Sequence, residues 1–227
     1  MAKPPSTPVN LFSGFPEHLS ARLLATAKRV NLAADEVLFL AGDPGDGCYR
    51  VEQGLLKVSI IGPSGAERIL AIPGPGAIVG ELSTIDGLPR SASVTAVRPS
   101  ELNFVSRASF DAVAREHPDV YKYMVTLLAA RLRDTDHVLA AGSFLPLKGR
   151  VARALLDLAE AFGQPVGNGR ILIRQKISQS DVAAMAGIAR ENVSRILNEW
   201  IRFKLITRLS GYYCLEDRAK LESEIKL

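Results

Sequence analysis

At 227 residues the chain is long enough for two compact domains, and its 47% hydrophobic content is that of a globular protein. No apolar run reaches the length of a membrane span and no apolar leader opens the chain, so a cytoplasmic location is expected. The two cysteines, Cys48 and Cys214, are too few for a disulfide framework or an iron–sulfur cluster. The net charge of +4 is unevenly placed: residues 1–143 carry 14 basic and 15 acidic side chains, residues 144–227 carry 14 and 9. Positive charge gathered in the C-terminal part suits a phosphate-bearing partner there.

The first ten residues, with Lys3-Pro4-Pro5-Ser6-Thr7-Pro8, read as a disordered tail. Leu19 to Val30 has the spacing of a short amphipathic helix. Six strand-like runs follow: Val37–Leu40, Cys48–Val51, Leu55–Ile61, Glu67–Ile72, Ser91–Val97 and Glu101–Val105. Turn residues separate them, among them Gln53-Gly54, Gly62-Pro63-Ser64-Gly65 and Pro73-Gly74-Pro75-Gly76. Many short strands at this spacing predict a β jelly roll or sandwich, here over residues 11–117. Ser106 is placed to cap a helix running to Glu116, and Pro118 opens the next at its first turn.

That next helix, residues 118–143, carries an apolar seam. Tyr121, Val125, Leu128, Leu132, Thr135 and Leu139 recur at alternating spacings of four and three, as the a and d positions of about three heptads do. A parallel homodimer is the expected use. A second stripe, Met124, Leu127 and Val138, would face the strand-rich domain. Ser143-Phe144-Leu145-Pro146 marks a hinge, and residues 144–227 form the second domain.

In that domain, Gly149–Ala161 reads as an amphipathic helix and Gly163–Arg170 as a loop. Residues 177–197 read as a helix-turn-helix. Ser178 would cap its first helix with Asp181 completing a capping box, and Gly187 fits a turn with positive φ. On the second helix Val193, Ile196, Leu197, Trp200 and Ile201 share one face, while Arg190, Glu191, Ser194, Arg195 and Asn198 share the other. Arg and Glu at a helix start read guanine and cytosine edges in a DNA major groove. Leu205–Arg208 and Tyr212–Leu215 around Ser210-Gly211 form a hairpin, the wing, and Asp217–Lys226 a closing helix. The expected fold class is therefore α+β: a strand-rich sensor, a long helix and a winged helix-turn-helix.

Gly187-x-x-Arg190-Glu191-x-Val193-x-Arg195-Ile196-Leu197 resembles the helix-turn-helix of the Crp–Fnr superfamily of transcription regulators, in its cyclic-AMP receptor branch. The resemblance runs from about Leu11 to Leu215. One departure is Ala189, where the family often has a capping Ser. Gly80-Glu81-Leu82-Ser83-Thr84 followed by Pro89-Arg90-Ser91-Ala92 resembles the phosphate-binding cassette of cyclic-nucleotide domains. Arg90 and Ser91 offer a guanidinium and a hydroxyl to a cyclic phosphate, Gly80 lets the backbone approach, and Glu81 can accept a ribose 2′-OH.

The resemblance further implies that Thr135 contacts an adenine amino group. It puts Asp136 where the family has a Ser donated by the other subunit. Asp accepts only, from adenine N6 or from guanine N1 and N2, so this position leaves the base open. The resemblance implies cyclic AMP as effector, with cyclic GMP or a non-nucleotide signal as the alternative. It also implies that Arg190, Glu191 and Arg195 read a TGTGA-like inverted repeat. Ser178, Gln179 and Ser194 complete the candidate contacts to double-stranded DNA, and RNA polymerase is a partner. The competing class is a jelly-roll enzyme of the cupin kind. It would need a metal or a catalytic constellation, yet His18, His117 and His137 lie far apart with no HxH or HExxH spacing, and no metal is expected.

Overall fold

The computed structural model describes residues 16–225, so the predicted N-terminal tail lies outside the described residues. The chain divides into two compact units between Asp134 and Thr135. In the first, helix α1 (Glu17–Ala25) precedes strands β1 (Lys28–Leu32), β2 (Val37–Phe39), β3 (Gly47–Ile61), β4 (Glu67–Ala71) and β5 (Ile78–Val79). Helix α2 (Glu81–Asp86), strand β6 (Ser93–Ser106) and helix α3 (Arg107–Glu116) follow, and the long helix α4 (Val120–Phe144) begins in this unit and runs across the division. The sheet is antiparallel in the order β1-β6-β3-β4, with β2 paired to β6 and β5 to β3. This is the strand-rich unit that the turn spacing predicted.

Four differences from the sequence reading stand out. The predicted helix to Val30 stops at Ala25, because Lys28–Leu32 pairs along its length with Ser100–Phe104 of β6. The apparent turn at Gln53-Gly54 is a bulge inside the single strand β3, opposite Pro99 in the single strand β6. Gly54 has φ 101°, and a methyl there would overlap Ser100. The Ser100 hydroxyl locks the irregularity, accepting from Leu55 N at 3.1 Å and donating to Arg98 O at 2.7 Å. Val138 lies beyond the division of the chain and is exposed, whereas Met124 and Leu127 are buried as expected. Gly163–Arg170 is only partly loop, as described below.

Two apolar clusters hold this unit. Leu32, Val51, Leu56, Val79, Val94, Ala96 and Leu102 alternate inward from the strands. Leu19, Leu23, Cys48, Phe110, Val120, Met124 and Leu127 join α1, α3 and the start of α4 to the sheet. Ser106 caps α3 as predicted, its side chain accepting from Ser109 N at 3.1 Å.

The second unit contains α5 (Leu147–Phe162), β7 (Gly163–Pro165), β8 (Ile171–Ile173), α6 (Gln179–Ala186), α7 (Arg190–Arg202), β9 (Ile206–Leu209), β10 (Tyr212–Leu215) and α8 (Arg218–Ser223). Its sheet runs β7-β8-β10-β9. Gly163–Pro165 pairs with Ile171–Ile173 across a tip where Gly167, Asn168 and Gly169 all have positive φ, so the predicted loop begins as a strand. Leu155, Leu158, Ile173, Leu197, Trp200 and Tyr213 are fully buried. Ile201 is exposed, since it stands one position, about 100°, round the helix from Trp200.

Replacing Gly54 by Ala removes the left-handed freedom and adds a clash with Ser100. We expect a loss of about 1–3 kcal/mol in urea unfolding.

Candidate functional site

Three segments of the first unit converge on one side chain. The loop before β3 runs past Gly45-Asp46-Gly47, α2 opens at Gly80, and Arg90 enters from the segment before β6. The Arg90 guanidinium is 4% exposed. Its Nη1 donates to Gly47 O at 2.7 Å and to Gly80 O at 2.8 Å, and the group lies 4.3 Å above the Phe39 ring. Asp46 stands 3.7 Å from Nη2 and is itself well exposed. Arg90 Nε has no hydrogen-bond partner among the described residues. Gly80 has φ 79°, and a methyl on it would overlap Arg90 Nη1. The glycine is thus required both by the turn and by the close approach.

Beside it, Glu81 is 1% exposed. Its Oε1 accepts from Arg131 Nη1 of α4 at 2.5 Å, and Arg131 Nη2 donates to Ile78 O. Glu81 Oε2 is buried with no hydrogen-bond partner among the described residues. A buried carboxylate oxygen left open is costly, so the site favours a donor placed there by something other than this unit. Leu82 is exposed, Ser83 is buried against Gly45, and Ser91 is exposed at the mouth. Phe39, Val58, Val79, Ala92 and Val94 line the rest of the cleft. A buried cation, an open acceptor and an apolar wall together suit a small anion carrying a hydroxyl and a flat or aliphatic body.

The structure therefore gathers Gly80, Glu81, Leu82, Ser83, Arg90 and Ser91 in one cleft. Thr135 and Asp136 are exposed on α4 and belong to the other unit. Sequence reasoning missed Arg131, Phe39 and Asp46. Arg131 could have been noticed four residues before Thr135 on the same helix face. Cys48 lies under α2 in the core, and burial pushes its thiol from 9.0 up to about 11, opposed in part by a hydrogen bond to Thr84.

In the second unit, Ser178 caps α6 in a full capping box: Asp181 N donates to Ser178 Oγ at 3.0 Å, and Ser178 N donates to Asp181 Oδ2 at 3.0 Å. Gly187 ends α6 at φ 64°. Helix α7 then buries Val193, Ile196, Leu197 and Trp200 and exposes Arg190, Glu191 and Arg195, with Ser194 half-buried between them. Gln179 is half-buried on the first turn of α6. Arg195 Nη2 donates to Asn192 Oδ1 at 2.9 Å, which extends it along the helix surface. Glu191, Ser194, Arg195, Asn198, Glu199 and Arg202 line one shallow groove. Ala189 precedes α7 with no side-chain cap.

Both units match known families. Residues 29–117 match the cyclic nucleotide-binding domain, and residues 149–224 match the Crp-like helix-turn-helix domain. A CRP-like cAMP-activated global transcriptional regulator of Mycobacterium tuberculosis is 31% identical over 199 residues, covering 86% of this chain and 88% of that protein. The cyclic AMP receptor protein of Thermus thermophilus is 36% identical, covering 83% of each. Among solved structures, a CRP/FNR-family regulator of Thermus thermophilus superposes with a TM-score of 0.73 at 25% identity, over 87% of this chain and 98% of that one.

Two outcomes follow from the geometry. Arg131→Met removes the ion-pair partner of the buried Glu81 carboxylate, and thermal unfolding should show a loss of about 3 kcal/mol. Because the Cys48 thiol must stay neutral when buried, its contribution to stability is complete below pH 9.0 and is lost as the pH rises through about 11. Alkylation of the native protein at pH 8 should modify Cys214 well before Cys48.

Proposed function

The chain belongs to the Crp–Fnr superfamily of transcription regulators, with a cyclic nucleotide-binding domain and a Crp-like helix-turn-helix, and from that premise we propose that it is a homodimer switched by cyclic AMP. The observation that carries the reading is the pair of buried groups in the sensor cleft, Arg90 with an unpartnered Nε and Glu81 with an unpartnered Oε2. Arg90 and Ser91 would hold the cyclic phosphate and Glu81 the ribose 2′-OH, with Gly80, Leu82 and Ser83 shaping the turn. Thr135 and Asp136 would meet the base. Asp136 is the residue on which cyclic AMP and cyclic GMP would compete, since its acceptor serves either base edge.

The dimer is proposed from exposure. Tyr121, Val125, Leu132 and Leu139 are 47%, 64%, 63% and 68% exposed in the single chain, with Leu128 half-buried beside them. A heptad-spaced apolar seam of this kind is stable when a second copy covers it. Two copies would present two α7 helices about 34–36 Å apart to a TGTGA-like inverted repeat in double-stranded DNA. Arg190, Glu191 and Arg195 would read bases, while Ser178, Gln179 and Ser194 would touch phosphates or flanking bases. The nucleotide favours one arrangement only by its differential affinity for the two states. RNA polymerase is the proposed further partner, and the cytoplasm the proposed place of action. Among the described residues no helix is long and apolar enough to cross a membrane.

Calorimetric titration with cyclic AMP and cyclic GMP, followed by operator binding in each saturated state, tests the reading. Arg90→Ala should abolish nucleotide binding with the fold retained, and unchanged affinity would sink it. Arg195→Ala should cost about 1–3 kcal/mol at one base pair, whereas a uniform loss over all sequences would make it a phosphate contact. Leu132→Glu should give monomers in light scattering and no binding to the palindrome.

A further inference from the structure

Arg107 is the first residue of α3, where a cation opposes the helix dipole, so its charge does not serve that helix. Its guanidinium turns instead to α2 and the loop before β3. Nη2 donates to Ser83 O near the end of α2 and to Gly45 O at 3.4 Å, in the loop before β3. Its own backbone N–H donates to Asp46 O at 2.8 Å in the same loop. Ser83 O also takes the Gly87 N–H at 3.1 Å, and a methyl on Gly87 would come within 2.9 Å of Arg107 Nη1. Arg107 does not line the cleft itself.

We infer that Arg107 is a positioning residue for nucleotide binding, a clasp that ties the far end of α2 to the Gly45-Asp46 loop. This rests on the nucleotide reading given above. Arg90 joins the same two segments at the near end of α2, through Gly47 O and Gly80 O. Helix α2 is thereby held at both ends, and Glu81 to Ser83 are carried between the two guanidiniums. Arg90 faces the cleft and is expected to meet the ligand. Arg107 faces away and acts through Ser83.

The test uses the full-length protein with Arg107→Met, Arg107→Gln and Arg107→Lys. The clasp requires nucleotide Kd to rise about tenfold in the Met variant, the equivalent of one charge-assisted hydrogen bond. Arg107→Lys, which keeps a donor, should recover most of that loss. Operator binding at saturating nucleotide should match the parent, because Arg107 touches neither nucleotide nor DNA. In the ligand-free protein, amides of residues 81–87 should exchange about tenfold faster in the Met variant and near the parent rate in the Lys variant, with β3 and β6 unchanged. Should the Met variant fail to fold, Arg107→Gln takes its place in both measurements. Parent-like exchange and parent-like Kd in Met and Gln would overturn the clasp. A parent that binds neither cyclic nucleotide would overturn the proposed function, and the exchange measurement would still decide the clasp.

Discussion

The sensor unit is organised around a guanidinium taken out of water. Burying a cation costs several kcal/mol unless its donors are met. Arg90 is met by two backbone carbonyls from segments far apart in sequence, Gly47 and Gly80, and by the face of Phe39. Each partner is constrained in return. Gly80 has no room for a side chain, Gly45 has none against Ser83, and the loop and α2 must close on the same point. Remove the cation and these requirements lose their common cause. The neighbouring Glu81–Arg131 pair extends the arrangement to α4, so the long helix is tied to the cleft by an ion pair with one buried member.

That linkage would give the proposed nucleotide a hold on the long helix. The carboxylate oxygen facing Arg131 is satisfied and the other is open. In the proposed complex the ribose hydroxyl would meet the open oxygen, beside the one that holds Arg131. Farther along the same helix, the second unit begins at Thr135. The exposed leucines of that helix and the apolar face of α7 are separate packing problems, each with its own solution. The first is left open in the single chain and is the basis of the proposed dimer, whereas the second is met inside its own unit by Trp200 and Leu197.

Local rules carried far in the sequence. The Ser106 and Ser178 caps, the αL Gly187 and the buried stripe of α7 are short-range features, and each has the conformation its residues imply. The cassette was legible because Gly80, Glu81, Arg90 and Ser91 are close in sequence. What escaped was nonlocal. Arg131 and Arg107 acquire meaning only when α4 and α3 are packed against α2. Lys28 to Val30 read as the end of a helix in sequence and belongs to a strand because β6 offers a pairing edge. Gly54 looked like a turn because glycine marks both turns and bulges, and only the strand opposite distinguishes them. Gly163–Pro165 lacks strand formers and pairs because the positive-φ tip beyond it folds the chain back.

The uncapped start of α7 sets the timing of order in the DNA-binding unit. Ala189 offers no side-chain acceptor to the first amides of this helix, whereas α6 has both halves of a capping box. An N-terminus without a cap frays by roughly 1 kcal/mol more than a capped one. The opening turn, with Arg190 and Glu191, therefore lacks the local support that α6 has. On the proposed DNA contact, a phosphate oxygen reaching those amides would supply the missing acceptor. Part of the helix would then be completed on the duplex, and association would carry an entropic toll and a heat signature that a capped helix would have settled during folding.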